Sequence, residues 1–129
     1  MAKILIVDDE IMLVEAYEMV LGQDGHKTAT AGDGEEALLV AEKFKPELIL
    51  LDLLMPRMDG LDFLQAYKTA NKRNDVKIIV FSNLDMHKEA EKAYKLGADK
   101  YVLKAWASPK ALSKMVADLL KQTKTKTKA

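Results

Sequence analysis

The chain has no cysteine, so disulfides, thiolate metal sites and thiol nucleophiles are all excluded. It has no net charge, because 20 Lys and Arg offset 20 Asp and Glu. A general affinity for nucleic acid or for an anionic membrane surface is therefore not suggested. Histidine is scarce as well. His26 and His87 stand alone, without metal-ligand spacing, and neither is given a function. Long apolar runs are also missing. MAKILIVDDE at the N-terminus has four bulky apolar residues before two aspartates, too few for the apolar stretch of a signal peptide or for a membrane span. A cytoplasmic location is the default expectation.

What is present suits a single domain. Of 129 residues, 49% are hydrophobic and 31% charged, enough apolar material for one ordinary globular unit. Apolar runs of strand length recur: ILIV at 4–7, LILL at 48–51, IIVF at 78–81 and YVL at 101–103, with a weaker KTATA at 27–31. Most are continuous rather than alternating, the pattern of strands buried on both faces. Segments of helical period lie between them. Leu13, Tyr17, Val20 and Leu21 share a face, with Gly25 as a stop. Asp33 and Glu36 have capping-box spacing ahead of Ala37, Ala41 and Phe44, and Pro46 ends that helix. A third helix starts near Gly60, with Phe63, Tyr67 and Ala70 in register. A fourth runs over 87–96 and stops at Gly97. The last is capped by Ser108, with Pro109 in its first turn and Leu112, Met115, Val116, Leu119 and Leu120 on one stripe. Alternating strands and helices with short connections predict a parallel sheet covered on both faces. The domain is expected over 1–121. The basic, low-complexity Lys/Thr tail at 122–129 is expected to be disordered.

In an open parallel sheet, ligands bind beyond the carboxyl ends of the strands. Here the first strand ends in Asp8, Asp9 and Glu10, the third in Asp52, the fourth in Ser82 and Asn83, and the fifth in Lys104. Carboxylates gathered at one edge repel and raise one another's pKa, which a hard divalent cation relieves. Lys104 offers a compact positive charge for a phosphoryl oxygen, and Ser82 a hydrogen bond. A carboxylate can itself be a nucleophile and form an aspartyl phosphate.

On ILIVDDE, LILLDLLMPRMDG, Ser82, KLGADKYVLK and the spacing between them, the chain resembles the receiver (chemotaxis-regulator-like) domain of two-component response regulators, over residues 3 to about 121. The resemblance implies a flavodoxin-like, doubly wound α/β sandwich of three layers, (βα)5, with a parallel sheet in the order 2-1-3-4-5, an order for which a receiver protein is the type example. It implies that Asp52 accepts a phosphoryl group from a sensor histidine kinase or a phosphotransfer protein, with Mg²⁺ or Mn²⁺ as cofactor. Asp9 would ligate the metal directly, Asp8 through water or by orienting Lys104, and Leu54 by its backbone carbonyl. Lys104 would contact the phosphate. Ser82 and Tyr101 would be the switch residues. The module would turn over no metabolite, acting only on its own aspartyl phosphate. With no room for an effector domain, it would signal through a downstream protein at the face made by helix four, strand five and helix five, or pass the phosphoryl group on as a relay intermediate. It would be a monomer or a weak, phosphorylation-dependent dimer, with no direct contact to nucleic acid or membrane.

The chain departs from the family in places. A proline usually follows the lysine, in a cis bond, whereas Ala105 stands here. A cis bond before a non-proline residue costs about 2.5–4 kcal/mol, so Lys104–Ala105 is expected to be trans, with the loop rearranged. Asn83 replaces a small residue. Leu54 and Leu84 are expected to shield the acyl phosphate and slow its hydrolysis.

Plainer readings exist for most of these residues. Asp8 and Asp9 could cap helix one. Asp59 and Gly60 read as turn and cap. Tyr101 could be an ordinary strand aromatic, and Trp106 is expected to pack on the last helix. Three other functions compete. A phosphohydrolase with an Asp nucleophile would usually need a cap domain. A flavin site would need a Ser-, Thr- or Gly-rich loop where DDE stands. A receiver-like adaptor that takes no phosphate is kept open by Ala105.

Overall fold

The computed structural model describes residues 2–53, 55, 58–70, 75–82 and 87–126, with backbone alone at 69, 70, 87 and 122–126. Strands and helices alternate: β1 (Lys3–Val7), α1 (Ile11–Gln23), β2 (Lys27–Ala31), α2 (Gly34–Phe44), β3 (Leu48–Asp52), α3 (Gly60–Ala70), β4 (Lys77–Ser82), α4 (His87–Lys95), β5 (Lys100–Leu103) and α5 (Pro109–Lys126). The five strands form one parallel sheet in the order β2-β1-β3-β4-β5, as the resemblance implies.

The continuous apolar runs are explained by two separate cores. Alternate side chains of each central strand point to opposite faces. Leu5, Val7, Ile49, Leu51, Ile78 and Val80 pack with residues of α2, α3 and α4. Ile4, Ile6, Leu48, Leu50, Ile79 and Phe81 pack with residues of α1 and α5. β3 lies in the middle, and all five of its residues are buried. β2 is an edge strand of mixed burial, which is why its run is weak in sequence.

Local signals mark most helix ends. Asp33 accepts a hydrogen bond from the Glu36 N–H at 2.9 Å, while Glu36 Oε1 accepts from the Gly32 N–H at 2.7 Å. The second half of the expected capping box therefore reaches one residue further back. α2 ends before Pro46, on Lys45 in the left-handed region at φ 53°. Gly97, at φ 107°, stops α4. Ser108 Oγ accepts from the Ala111 N–H at 3.2 Å and opens α5.

Three expectations are corrected. In α1, Val14 is buried with Tyr17 and Leu21, whereas Leu13 and Val20 sit at the margin of the core. α5 does not stop at 121, and its backbone stays helical through Lys126. Each residue added to a formed helix gains a backbone hydrogen bond, and lysines near a helix C-terminus complement its dipole. Residues 127–129 lie outside the described residues. Trp106 does not pack on α5 but is 73% exposed. Lys104–Trp106 form a turn of 3-10 helix. With three residues per turn, Lys104 and Ala107 face the interior, and Ala105 and Trp106 are left outside. No helix among the described residues is long and apolar enough to cross a membrane.

Gly60 holds the loop after β3 against the strand it came from. Its N–H donates to the Leu53 carbonyl at 2.9 Å. A Cβ there would stand 2.5 Å from the Asp52 carbonyl oxygen and 2.7 Å from Leu53 Cα. Gly60→Ala should therefore lower the stability measured by urea unfolding by about 2 kcal/mol. At Gly22, a Cβ meets nothing within 4 Å. Gly22→Ala in α1 should instead gain up to about 1 kcal/mol.

Candidate functional site

Parallel register sets the site. Val7 pairs with Leu51, and Asp52 with Phe81, while Ser82 pairs with Leu103. The next residues along β1 and β5 are Asp8 and Lys104. Asp8, Asp52, Ser82 and Lys104 thus reach one edge of the sheet together. Asp8, Asp52 and Ser82 are buried, and Asp9 is exposed. Carboxylate oxygens of Asp8, Asp9 and Asp52 lie within 4.8 Å of one another.

One ammonium serves this edge. Lys104 Nζ lies 2.9 Å from Glu10 Oε2, 3.0 Å from Asp8 Oδ2 and 3.1 Å from Asp52 Oδ2. Burial works against the charge of Lys104. The hydrogen bonding and charge of Glu10, Asp8 and Asp52 outweigh it and hold the ammonium above its usual pKa. Nζ also lies 5.6 Å from the centroid of the Phe81 ring.

Asp8 is fixed from the other side. Its Oδ1 accepts the Glu10 N–H at 2.9 Å, a local turn that aims the carboxylate. Its Oδ2 is fully buried and has an ion pair with Lys104 but no well-directed hydrogen bond. Burial raises the Asp8 pKa, and the Glu10 N–H and Lys104 offset this only in part. A buried oxygen with unsatisfied capacity, next to two more carboxylates, is a donor set suited to a hard divalent cation. Lys104 alone cannot neutralise it.

The plainer readings fare differently. α1 begins after Glu10, which makes no side-chain cap, and Asp8 spends its bond on Glu10 rather than on the helix. Asp59 is a cap, accepting the Asp62 N–H at 2.9 Å. His26 is structural, with Nδ1 accepting the Ala2 N–H at 3.0 Å. Tyr101 is half-buried against the core beneath α3 and α4, and its backbone N–H donates to the Tyr94 hydroxyl at 3.0 Å. Leu54, Asn83, Leu84 and the His87 side chain lie outside the described residues. So do the expectations placed on Leu54 as a metal ligand and on Leu54 and Leu84 as shields.

Lys104–Ala105 is trans, as no cis peptide bond occurs among the described residues. The lysine reaches Asp52 all the same. Glu10 is a further partner of Lys104, and its place next to the Asp pair is the sequence signal for it. The Tyr17 hydroxyl donates to the Ala107 carbonyl at 2.7 Å. No local pattern announces a contact between residues so distant in sequence.

The family model described as "Response regulator receiver domain" matches residues 4–117. A protein of Cyanophora paradoxa named "Probable transcriptional regulator ycf27" is 38% identical over 125 residues, covering 97% of this chain and 51% of that protein. The chain thus spans about half the length of the curated relatives it matches. The crystal structure of a CheY-like receiver domain protein from Methanospirillum hungatei superposes with a TM-score of 0.87 at 26% identity, covering 96% of this chain and 97% of that one. The receiver domain of the Francisella response regulator 1452 gives 0.84 at 28% identity, covering 95% and 99%.

A raised Asp8 pKa means that the ionised group weakens the fold. The penalty is present above the folded-state pKa, and it vanishes below the ordinary value of 3.8, where Asp8 is protonated in both states. In EDTA, Asp8→Asn should therefore raise the urea midpoint at pH 7, and the gain should shrink as the pH falls and vanish well below 3.8.

Proposed function

The chain belongs to the response regulator receiver domain family, and from that premise we propose that it is a phosphorylation-controlled signalling module with Asp52 as phosphoacceptor. The donor is a phosphohistidine on a sensor kinase or phosphotransfer protein. A carboxylate oxygen of Asp52 attacks the phosphorus. The P–N bond breaks, and its electron pair returns to the imidazole ring of the donor, which takes up a proton. Asp8, Asp9 and Asp52 would hold Mg²⁺, together with the backbone carbonyl of Leu54. When bound there, the ion neutralises charge on the transferring phosphoryl oxygens.

The chain's own groups do the rest. Asp8 holds Lys104 close to Asp52. The Lys104 ammonium stays protonated and pairs with a phosphoryl oxygen as charge moves from the carboxylate onto the phosphoryl group. Ser82 moves toward the same group and donates a hydrogen bond to it, and Tyr101 follows that movement. The two states differ in population, and the phosphoryl group on Asp52 biases them. Output passes through a partner at the face of α4, β5 and α5, or by transfer of the phosphoryl group.

The observation that supports this reading most is the 3.1 Å contact between Lys104 Nζ and Asp52 Oδ2. It favours this reading over an adaptor that takes no phosphate, the alternative that Ala105 keeps open. Incubation with a small phosphodonor and Mg²⁺ should add one phosphoryl group to the wild type by intact mass and none to Asp52→Asn. Lys104→Ala should react slower by about a hundredfold. A wild type that gains nothing would return the reading to the adaptor.

A further inference from the structure

Lys104 opens the 3-10 turn at 104–106, and Ala105 follows it through a trans bond. Observations on three elements lead to Tyr17. It is fully buried in the middle of α1. Its hydroxyl donates to the Ala107 carbonyl at 2.7 Å, across 90 residues of sequence. The Ala107 N–H donates in turn to the Lys104 carbonyl at 3.0 Å and closes the 3-10 turn. The Tyr17 ring also meets Phe81 edge-on, with centroids 5.6 Å apart and planes at 71°. Phe81 is the ring beside which the Lys104 ammonium rests. Tyr17 therefore touches both supports of Lys104, the backbone turn and the aromatic platform.

We propose that Tyr17 is the positioning residue for Lys104: through Ala107 it clamps the turn at 104–107 against α1, and so sets the ammonium at Asp52. The inference rests on Asp52 being the phosphoacceptor. A purely apolar role is a poor account of this residue. Phenylalanine would fill the same space, and a hydroxyl in a dry core costs stability unless it is bonded. Burial first, and then the charge of Asp8, push the Tyr17 pKa up to about 12, so the hydroxyl remains a donor throughout the neutral range.

Tyr17→Phe keeps the ring and removes the donor. In the full chain, with Mg²⁺ and a small phosphodonor, phosphorylation should slow by about tenfold, while Mg²⁺ affinity measured by calorimetry stays within about twofold. In a Lys104→Ala background, the same change should cause no further slowing, because the two residues act through one group. A rate equal to wild type, or a full loss repeated in the Lys104→Ala background, would overturn the proposal. The Lys104 ε-methylene NMR signal, assigned by its disappearance in Lys104→Ala, should move toward that of exposed lysines in Tyr17→Phe. An unmoved signal would also overturn it. That arm decides the matter even if the wild type takes no phosphate, in which case the phosphoacceptor reading fails separately. Should Tyr17→Phe not fold, backbone order parameters at 105–107 of the wild type decide instead. Values matching β5 support the clamp, and values below about 0.6 refute it.

Discussion

The site hangs on one ammonium shared among three carboxylates. Lys104 Nζ lies within 3.1 Å of Glu10, Asp8 and Asp52. Asp9 adds a further acid within the same cluster. Such an arrangement is unbalanced by construction. Each carboxylate gains from the lysine, but none is neutralised by it, and the burial of Asp8 outweighs what the lysine returns. The uncompensated negative charge is what suits the edge to a cation. A neutral version of the same edge would have no electrostatic reason to hold one.

The scaffold tolerates this imbalance because it is built elsewhere. Side chains of β1, β3 and β4 divide between two cores, and neither core draws on the acidic edge. Parallel pairing brings the ends of β1, β3, β4 and β5 level, so consecutive strands deliver their last polar residue to the same place. The loop after β3 is pressed back on the strand at Gly60, where the Asp52 carbonyl leaves no space for a side chain. β3 is buried along its whole length, and Gly60 lies against its end at Asp52 and Leu53.

What could be read in the sequence divides along the same line. Runs such as LILL at 48–51 are legible because burial on both faces removes polar residues from a strand. Asp33, Ser108 and Gly97 are legible because caps and stops act within a few residues. The Asp8, Asp9, Asp52, Ser82 and Lys104 cluster was reached by combining strand ends with the rule that ligands lie beyond them. Contacts made only by the three-dimensional path were not legible. Val14, Tyr17 and Leu21 share the i, i+3, i+7 stripe that is buried, with Leu13 and Val20 at its margin. Trp106 fell outside because the chain coils tightly after Lys104. The bond from Tyr17 to Ala107 has no local signature at all.

That last contact bears on how the turn at Lys104 is held. Keeping a cis bond before Ala105 would cost about 2.5–4 kcal/mol. A trans bond with a 3-10 turn avoids that strain but leaves the turn to be held by other means. A buried hydrogen bond contributes about 1 kcal/mol net, far less than the strain avoided, and the Tyr17 ring is needed in the core in any case. On the role proposed for Tyr17, the support for Lys104 is tertiary rather than local. A local restraint holds regardless of what packs around it. A tertiary one ties the lysine to the position of α1, the helix that begins directly after the acidic pair. In this chain, the two halves of the pocket, acids from β1 and ammonium from β5, are thereby referred to the same helix.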